Sequence, residues 1–134
     1  MMKKMVIFLV ILLLSIGIVS AAKLSDVKTV NGFTTKSDNF ATNGDFGLSV
    51  GKYDKSSDYN ILFKNESGYS VKVSDISNYT DKISNNVGCM EIVEINGEPT
   101  LIEIYCNGSD INKCNDYMLE FNKINNLKPI NPIN

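Results

Sequence analysis

The sequence predicts an α+β domain in which an antiparallel sheet of about five strands is covered by one C-terminal amphipathic helix. Three observations lead to this class. Apolar and polar residues alternate from Phe46 onward, Asn96-Gly97 separates two strand-like segments, and the last segment repeats apolar residues every three or four positions. Alternation is typical of strands with one buried face, and the longer spacing is typical of a helix. Because the strands precede the helix, we expect the helix to cover one face of the sheet.

Residues 1–22 have the three parts of a secretory signal peptide. Lysines at positions 3 and 4 precede the apolar run 5–19, and small residues follow it. We expect cleavage after Ala21 or Ala22. The competing interpretation is an uncleaved anchor helix, because residues 5–22 would rise about 27 Å against a hydrocarbon core of about 30 Å. Either outcome places the body outside the cytoplasmic membrane, secreted or in the cell envelope.

Composition excludes several classes of function. The 134-residue chain has no histidine and no arginine, and without the leader it carries 11 lysines against 15 acidic residues. A net charge of about −4 without a basic cluster argues against a nucleic-acid partner. Histidine-dependent catalysis is excluded, and no phosphate loop, dinucleotide motif or calcium loop is present. We therefore expect no cofactor and no metal, and membrane contact only through an uncleaved leader.

The chain after the leader is expected to form a single domain. Its parts are an irregular lead-in at 23–45, the α+β body at 46–128 and a tail at 129–134. In the first predicted strand Phe46, Leu48 and Val50 share one face. A hairpin is predicted at 59–73, where a three-residue loop ending at Gly68 aligns two alternating segments.

The strongest local signal is Asn96-Gly97, which is typical of two-residue hairpin turns. It predicts strands over 89–95 and 100–106. With this turn Cys89 lies across from Ile104, and one apolar face is lined by Cys89, Val93, Ile95, Ile102 and Ile104.

Two segments have helical spacing. Ile76, Tyr79 and Ile83 predict one or two helical turns, although a loop fits the same segment. The clearer helix begins after Asp110, a residue type that caps helix N-termini, and ends near Asn125-Asn126. Its apolar positions are Ile111, Cys114, Tyr117, Met118, Phe121 and Ile124. This face needs burial, so the helix is expected to pack on the sheet.

Three cysteines in an exported chain allow at most one internal disulfide. Because the two-residue turn does not set Cys89 opposite Cys106, we predict a bridge between Cys106 and Cys114. A four-residue turn through Pro99 would instead favour Cys89 with Cys106. In a reducing setting all three would be small buried hydrophobic residues.

Few polar residues are candidates for a site. Glu91 shares the apolar face of its strand, where desolvation would raise its pKa, as is common for functional acids. It is the best catalytic candidate, although such a glutamate more often turns its head group toward water. Three sequons, about the number expected by chance, mark glycosylation candidates on expected loops: Asn65, Asn78 and Asn107. The six tyrosines could form a ligand surface or half-buried core edges.

Two stretches carry a resemblance to a known group of proteins. They are residues 87–97, Val-Gly-Cys-Met-Glu-Ile-Val-Glu-Ile-Asn-Gly, and residues 119–129, Leu-Glu-Phe-Asn-Lys-Ile-Asn-Asn-Leu-Lys-Pro. Both resemble small exported α+β proteins of methanogenic archaea, and the usage of lysine, asparagine and isoleucine is similar too. The resemblance implies a hairpin and a helix ending, with no activity attached.

Three functional hypotheses follow. The first is a non-enzymatic extracellular or envelope-associated module that binds a protein or small-molecule partner through its sheet or loops. The alternative is a small-ligand or cation binder that uses the acidic loops around 38–45 and 75–81. The third is a carboxylate enzyme centred on Glu91.

Overall fold

The computed structural model describes residues 22–53, 76–81 and 84–130. Residues 1–21 of the predicted leader, the predicted hairpin at 59–73 and the sequon at Asn65 lie outside these residues. Within the described part, no helix is both long enough and apolar enough to span a membrane.

The described residues form an antiparallel sheet with one α-helix. The strands are β1 (Thr34–Thr35), β2 (Phe40–Thr42), β3 (Phe46–Lys52), β4 (Ser77–Asp81), β5 (Asn86–Ile95) and β6 (Glu98–Asn107), and the helix is α1 (Ile111–Asn125). The strand order is β1-β2-β3-β6-β5-β4, and each neighbouring pair is antiparallel. The α+β class with a C-terminal helix is confirmed. The described residues alone form six strands, whereas the sequence predicted about five for the whole chain, two of them at 59–73.

Two short strands lie before β3, in the segment expected to be an irregular lead-in with at most a short strand near Phe33. β1 and β2 are two and three residues long, and a 3-10 helix at Leu24–Asp26 precedes them. Such short strands cannot show the period of two that reveals longer ones. They still contribute to the core, since Ala41 and Leu24 are buried.

The segment with helical spacing around Tyr79 is a strand, so that prediction was wrong. In β4 the buried residues Ser77 and Tyr79 alternate with the exposed residues Asn78 and Thr80. A polar residue at one of the two buried positions hid the alternation. The apolar spacing from Ile76 to Tyr79 then imitated a helical turn.

The predicted hairpin is confirmed together with its register. Asn96 and Gly97 adopt φ values of 54° and 83°, the positive pair that a type I′ turn requires. Ile95 pairs with Glu98, and Cys89 pairs with Ile104. Both strands exceed their predicted bounds by a few residues.

The predicted helix is confirmed at both ends. Asp110 accepts a hydrogen bond from the backbone N–H of Lys113 at 3.2 Å, as an N-cap does. Asn126 adopts the left-handed conformation, with φ 55° and ψ 49°, and ends the helix. The buried face of α1 packs on β5 and β6.

The sheet buries side chains on both faces. The face under α1 holds the main core, which includes Leu48, Val93, Ile102, Ile104, Met118 and Phe121. The opposite face holds a smaller cluster of Tyr79, Met90 and Ile92, with Tyr53, Leu101, Tyr105 and Ile130 against it. Tyr105 fits there because Gly88 and Gly47, its neighbours on β5 and β3, have no side chains.

The N-terminal segment is tied to the end of α1 by one side chain. Asn125 Oδ1 accepts from the backbone N–H of Lys28 at 2.7 Å, and Asn125 Nδ2 donates to the carbonyl of Lys28 at 2.9 Å. One amide thus satisfies both backbone groups of a residue almost a hundred positions away. The pair holds the lead-in against the C-terminal end of the helix.

Candidate functional site

Glu91, the predicted catalytic candidate, lies in the middle of β5 under α1. It is opposite Ile102 and only 1 % exposed, so its carboxyl group does not turn toward water. Asn122 on α1 donates a hydrogen bond from Nδ2 to Glu91 Oε1 at 2.7 Å. The reason for the burial is the position of β5, which lies inside the sheet between β4 and β6 and beneath the helix.

Asn122 is the polar partner that sequence reasoning missed. It is 8 % exposed and lies four residues after Met118, on the buried side of α1. Four-residue spacing keeps two helical residues on one face. An asparagine at such a position is a usable signal, because a buried polar side chain needs a buried partner.

The Glu91–Asn122 pair leaves two buried acceptors without a hydrogen-bond partner. They are Glu91 Oε2 and Asn122 Oδ1. Burial raises the pKa of Glu91 from 4.5 to about 7, while the hydrogen bond from Asn122 acts in the opposite direction. A carboxylate removed from water with one hydrogen bond prefers its neutral form, which is the physical cause of the shift.

Three buried thiols lie on the same side of the sheet. Cys89 Sγ donates to the carbonyl of Cys114 at 3.3 Å, and the Sγ atoms of Cys114 and Cys106 are 4.0 Å apart. All three cysteines are free. Burial raises the pKa of Cys89, and burial together with the neighbouring Cys106 raises that of Cys114 to about 12. Cys89 and Cys114 are therefore neutral and weakly reactive at pH 7.

The structure brings the predicted disulfide partners together without a bond between them. A disulfide has a sulfur–sulfur distance of about 2.05 Å, so Cys106 and Cys114 would have to approach by about 2 Å. The alternative pair does not face across the hairpin, because Cys106 is opposite Val87 and Cys89 is opposite Ile104. The bridge between Cys106 and Cys114 stays a prediction.

Burial separates the carboxyl group of Glu91 from solvent. Glu91 lines none of the described clefts. Acid–base catalysis requires the acid to approach within hydrogen-bonding distance of the reacting atom. The geometry thus fits a structural role for Glu91 better than a catalytic one.

Two clefts lie on either side of the loop at 107–110. The larger, of about 550 Å³, is lined by Asn78, Tyr79, Thr80, Asn85, Val87, Gly108, Ser109 and Ile111. Its described lining has amides and hydroxyls around two apolar residues and no charged group. The second cleft, of about 480 Å³, is lined by Gly44, Asp45, Phe46, Cys106, Asn107, Ser109, Asp110 and Lys113. We call the first the neutral cleft and the second the charged cleft.

The two described sequons lie at this end of the sheet. Asn78 is exposed within β4 and lines the neutral cleft, rather than occupying the expected loop. Asn107 is the exposed last residue of β6, and its amide contacts Ser84 and Asn86. Loop prediction failed for Asn78 because β4 was not recognised as a strand.

The tyrosines divide between the two faces of the sheet. Tyr53, Tyr79 and Tyr105 belong to the cluster opposite α1, where Tyr79 donates a hydrogen bond to Glu103. Burial raises the pKa of Glu103. Tyr117 on α1 packs edge-on against two phenylalanine rings, Phe33 and Phe46, at 5.1 and 5.0 Å. The described tyrosines therefore contribute to packing on both faces, as the second interpretation expected.

The acidic loops do not converge on a cation site in the described part of the chain. Asp38 and Asp45 are both exposed, on separate turns before β2 and β3. No group of three or more potential metal ligands lies together among residues 22–53, 76–81 and 84–130.

Comparison of the chain with protein-family models, with curated proteins and with solved structures gave no match. Inferences about function therefore depend on the residues and the geometry described above.

Proposed function

We propose that this protein is an exported, non-enzymatic binding module that acts outside the cytoplasmic membrane, secreted or in the envelope. The leader at 1–22 supports the location, with its lysine pair, apolar run and small-residue exit. The resemblance of the C-terminal hairpin and helix to exported proteins of methanogenic archaea agrees with this location.

The observation that carries the binding role is the neutral cleft beside the 107–110 loop. Its described lining combines the apolar side chains of Val87 and Ile111 with hydrogen-bonding side chains. Sites of this kind bind uncharged polar partners, because each amide or hydroxyl can donate or accept. The buried position of Glu91 argues in the same direction, since it removes the best catalytic candidate from contact with solvent.

A thermal-shift screen with neutral oligosaccharides, short peptides and calcium tests the binding role. Thr80→Lys puts a long charged side chain into the neutral cleft, and Thr34→Lys is the matched control on an exposed strand elsewhere. We expect a stabilising shift with an uncharged compound that Thr80→Lys abolishes and Thr34→Lys preserves. A shift with calcium alone would support the cation-binding alternative. A compound that shifts all three proteins equally would place binding outside the cleft.

Export has its own test. Expression with the native leader, followed by N-terminal sequencing of material outside the cytoplasmic membrane, should give a chain that begins at Ala22 or Lys23. An intact N-terminus in the membrane fraction would favour the anchor, and retention in the cytoplasm would contradict the proposed location.

A further inference from the structure

We infer that Glu91 and Asn122 share a proton that holds α1 on the sheet, and that loss of this proton loosens the helix. The pair joins two elements, because Glu91 lies on β5 and Asn122 on α1. One hydrogen bond already connects Asn122 Nδ2 to Glu91 Oε1 at 2.7 Å. The inference extends beyond the proposed binding role and is independent of it.

The shared proton is inferred from the two buried atoms of this pair that have no hydrogen-bond partner. The unpaired atoms, Glu91 Oε2 and Asn122 Oδ1, are both acceptors and belong to the same hydrogen-bonded pair. A protonated Glu91 has one hydroxyl to donate, and the Oδ1 atom of the amide is free to accept it. The result is a reciprocal acid–amide pair in which each side chain donates once and accepts once. A single proton thus satisfies both buried acceptors.

Among residues 22–53, 76–81 and 84–130, no cation neutralises Glu91. Burial and the Asn122 hydrogen bond are the influences on its pKa, with no cation contributing. Ile102 faces it from β6, and the thiol of Cys89, two residues earlier on β5, interacts electrostatically with it, while Cys114 on α1 lies against Cys89. Burial raises the pKa of both thiols, so they stay neutral over the range in which Glu91 titrates. An ionised Glu91 would therefore be an uncompensated charge in the core.

Loss of the proton acts on the contact between helix and sheet. The proton passes to water, the hydroxyl donor disappears, and two acceptors with a negative charge remain between β5 and α1. Water can reach the charge only if the C-terminal half of α1 moves away from the sheet. The closed arrangement is thus favoured at acidic pH and is weakened as the pH rises from about 4.5 to about 7.

The experiment combines Glu91→Gln with Glu94→Gln, an exposed glutamate on the same strand. Glutamine keeps one donor and one acceptor, so Glu91→Gln can preserve the reciprocal pair at every pH. The full chain, kept in solution with mild detergent, is labelled with ¹³C at glutamate carboxyl groups and titrated from pH 4 to 9. Amide hydrogen exchange of α1 is followed in parallel, corrected for the intrinsic pH dependence of exchange.

In the wild-type chain we expect a carboxyl signal, absent from Glu91→Gln, that titrates near pH 7. Opening of α1 should increase by up to about a hundredfold from pH 5 to pH 8 in the wild type and in Glu94→Gln, and by less than about threefold in Glu91→Gln. A Glu91 signal with a midpoint near 4.5 would overturn the shared proton. Equal increases in opening in wild type and Glu91→Gln would overturn the coupling to the helix.

Discussion

Gly88 is the glycine at which an added methyl group should cost the most stability. A Cβ atom there would lie 2.6 Å from the carbonyl oxygen of Ile104, 2.7 Å from the hydroxyl of Tyr79 and 2.8 Å from Cβ of Tyr105. The first atom is backbone of the adjacent strand, which the β5–β6 ladder holds in place. Because that strand cannot move alone, we expect Gly88→Ala to lower the free energy of unfolding by about 3 kcal/mol.

The same substitution at two other strand glycines should cost less stability than at Gly88. A Cβ on Gly47 would lie 2.7 Å from the ring of Tyr105, a side chain that can shift, so Gly47→Ala should cost about 1 to 2 kcal/mol. Gly51 has no atom within 4 Å of its added Cβ. Gly51→Ala should be neutral or should stabilise by about 0.5 kcal/mol, because alanine restricts the unfolded chain.

Urea unfolding of the three variants, followed by circular dichroism at constant pH, measures the series. The expected order of destabilisation is Gly88→Ala, then Gly47→Ala, then Gly51→Ala. A Gly88→Ala protein within 0.5 kcal/mol of wild type, on the order of measurement error, would refute the close approach of β5 and β6 at this point. If Gly51→Ala destabilised the protein as much as Gly88→Ala does, the loss of stability would come from the strand propensity of alanine and not from close contacts of its Cβ atom.

Three further predictions concern the helix and its surroundings. Asn125→Ala removes both hydrogen bonds to Lys28 and should lower the free energy of unfolding by about 1 to 2 kcal/mol. Amide exchange at Lys28 should become faster. Unchanged stability would show that these two hydrogen bonds do not hold the lead-in against α1. Mild oxidation with diamide should link Cys106 to Cys114 and leave Cys89 as a thiol. The bond should raise the free energy of unfolding by about 2.5 kcal/mol. Peptide mapping that finds another cysteine pair would contradict the register. The rise in the pKa of Glu91 from 4.5 to about 7 corresponds to about 3 kcal/mol of stability, present below pH 4.5 and lost as the pH rises to 7. The free energy of unfolding of Glu91→Gln, measured with denaturant at several pH values, should lack this pH-dependent contribution. A pH profile equal to that of the wild type would contradict the contribution of Glu91.

Local signals predicted the second half of the chain well. Asn96-Gly97 determined a hairpin with its register, because a type I′ turn allows one pairing of the flanking residues. Asp110 and Asn126 mark the two ends of the helix through cap chemistry that depends on adjacent residues only. Elements of this kind need no knowledge of distant contacts.

The order of strands in the sheet could not be predicted from local sequence signals. β3 pairs on one side with β2, the strand before it in sequence, and on the other side with the distant β6; alternation in β3 does not predict this second partner. β4 was missed because Ser77 occupies a buried position in a five-residue strand. In both cases the deciding information is tertiary contact, which overrides local preference.

The candidate site was predicted in part. Burial of Glu91 and its raised pKa follow from its place among apolar residues on one strand face. Its partner Asn122 lies 31 positions later, and spacing alone could not join them. The neutral cleft depends on how β4 and the 107–110 loop meet, which is again a matter of tertiary packing.

The pairing of β3 with β6 bears on the proposed export of the chain. Phe46 meets Cys106 about 60 residues later, so the centre of the sheet cannot form until nearly all of the domain has been synthesised. Until then β3 lacks its inner neighbour, and the N-terminal strands gain little from pairing alone. A chain that crosses a membrane unfolded benefits from this delay, because premature folding would block its passage. The same strand order that buries β6 at the centre would thus keep the emerging polypeptide extended until its last third arrives.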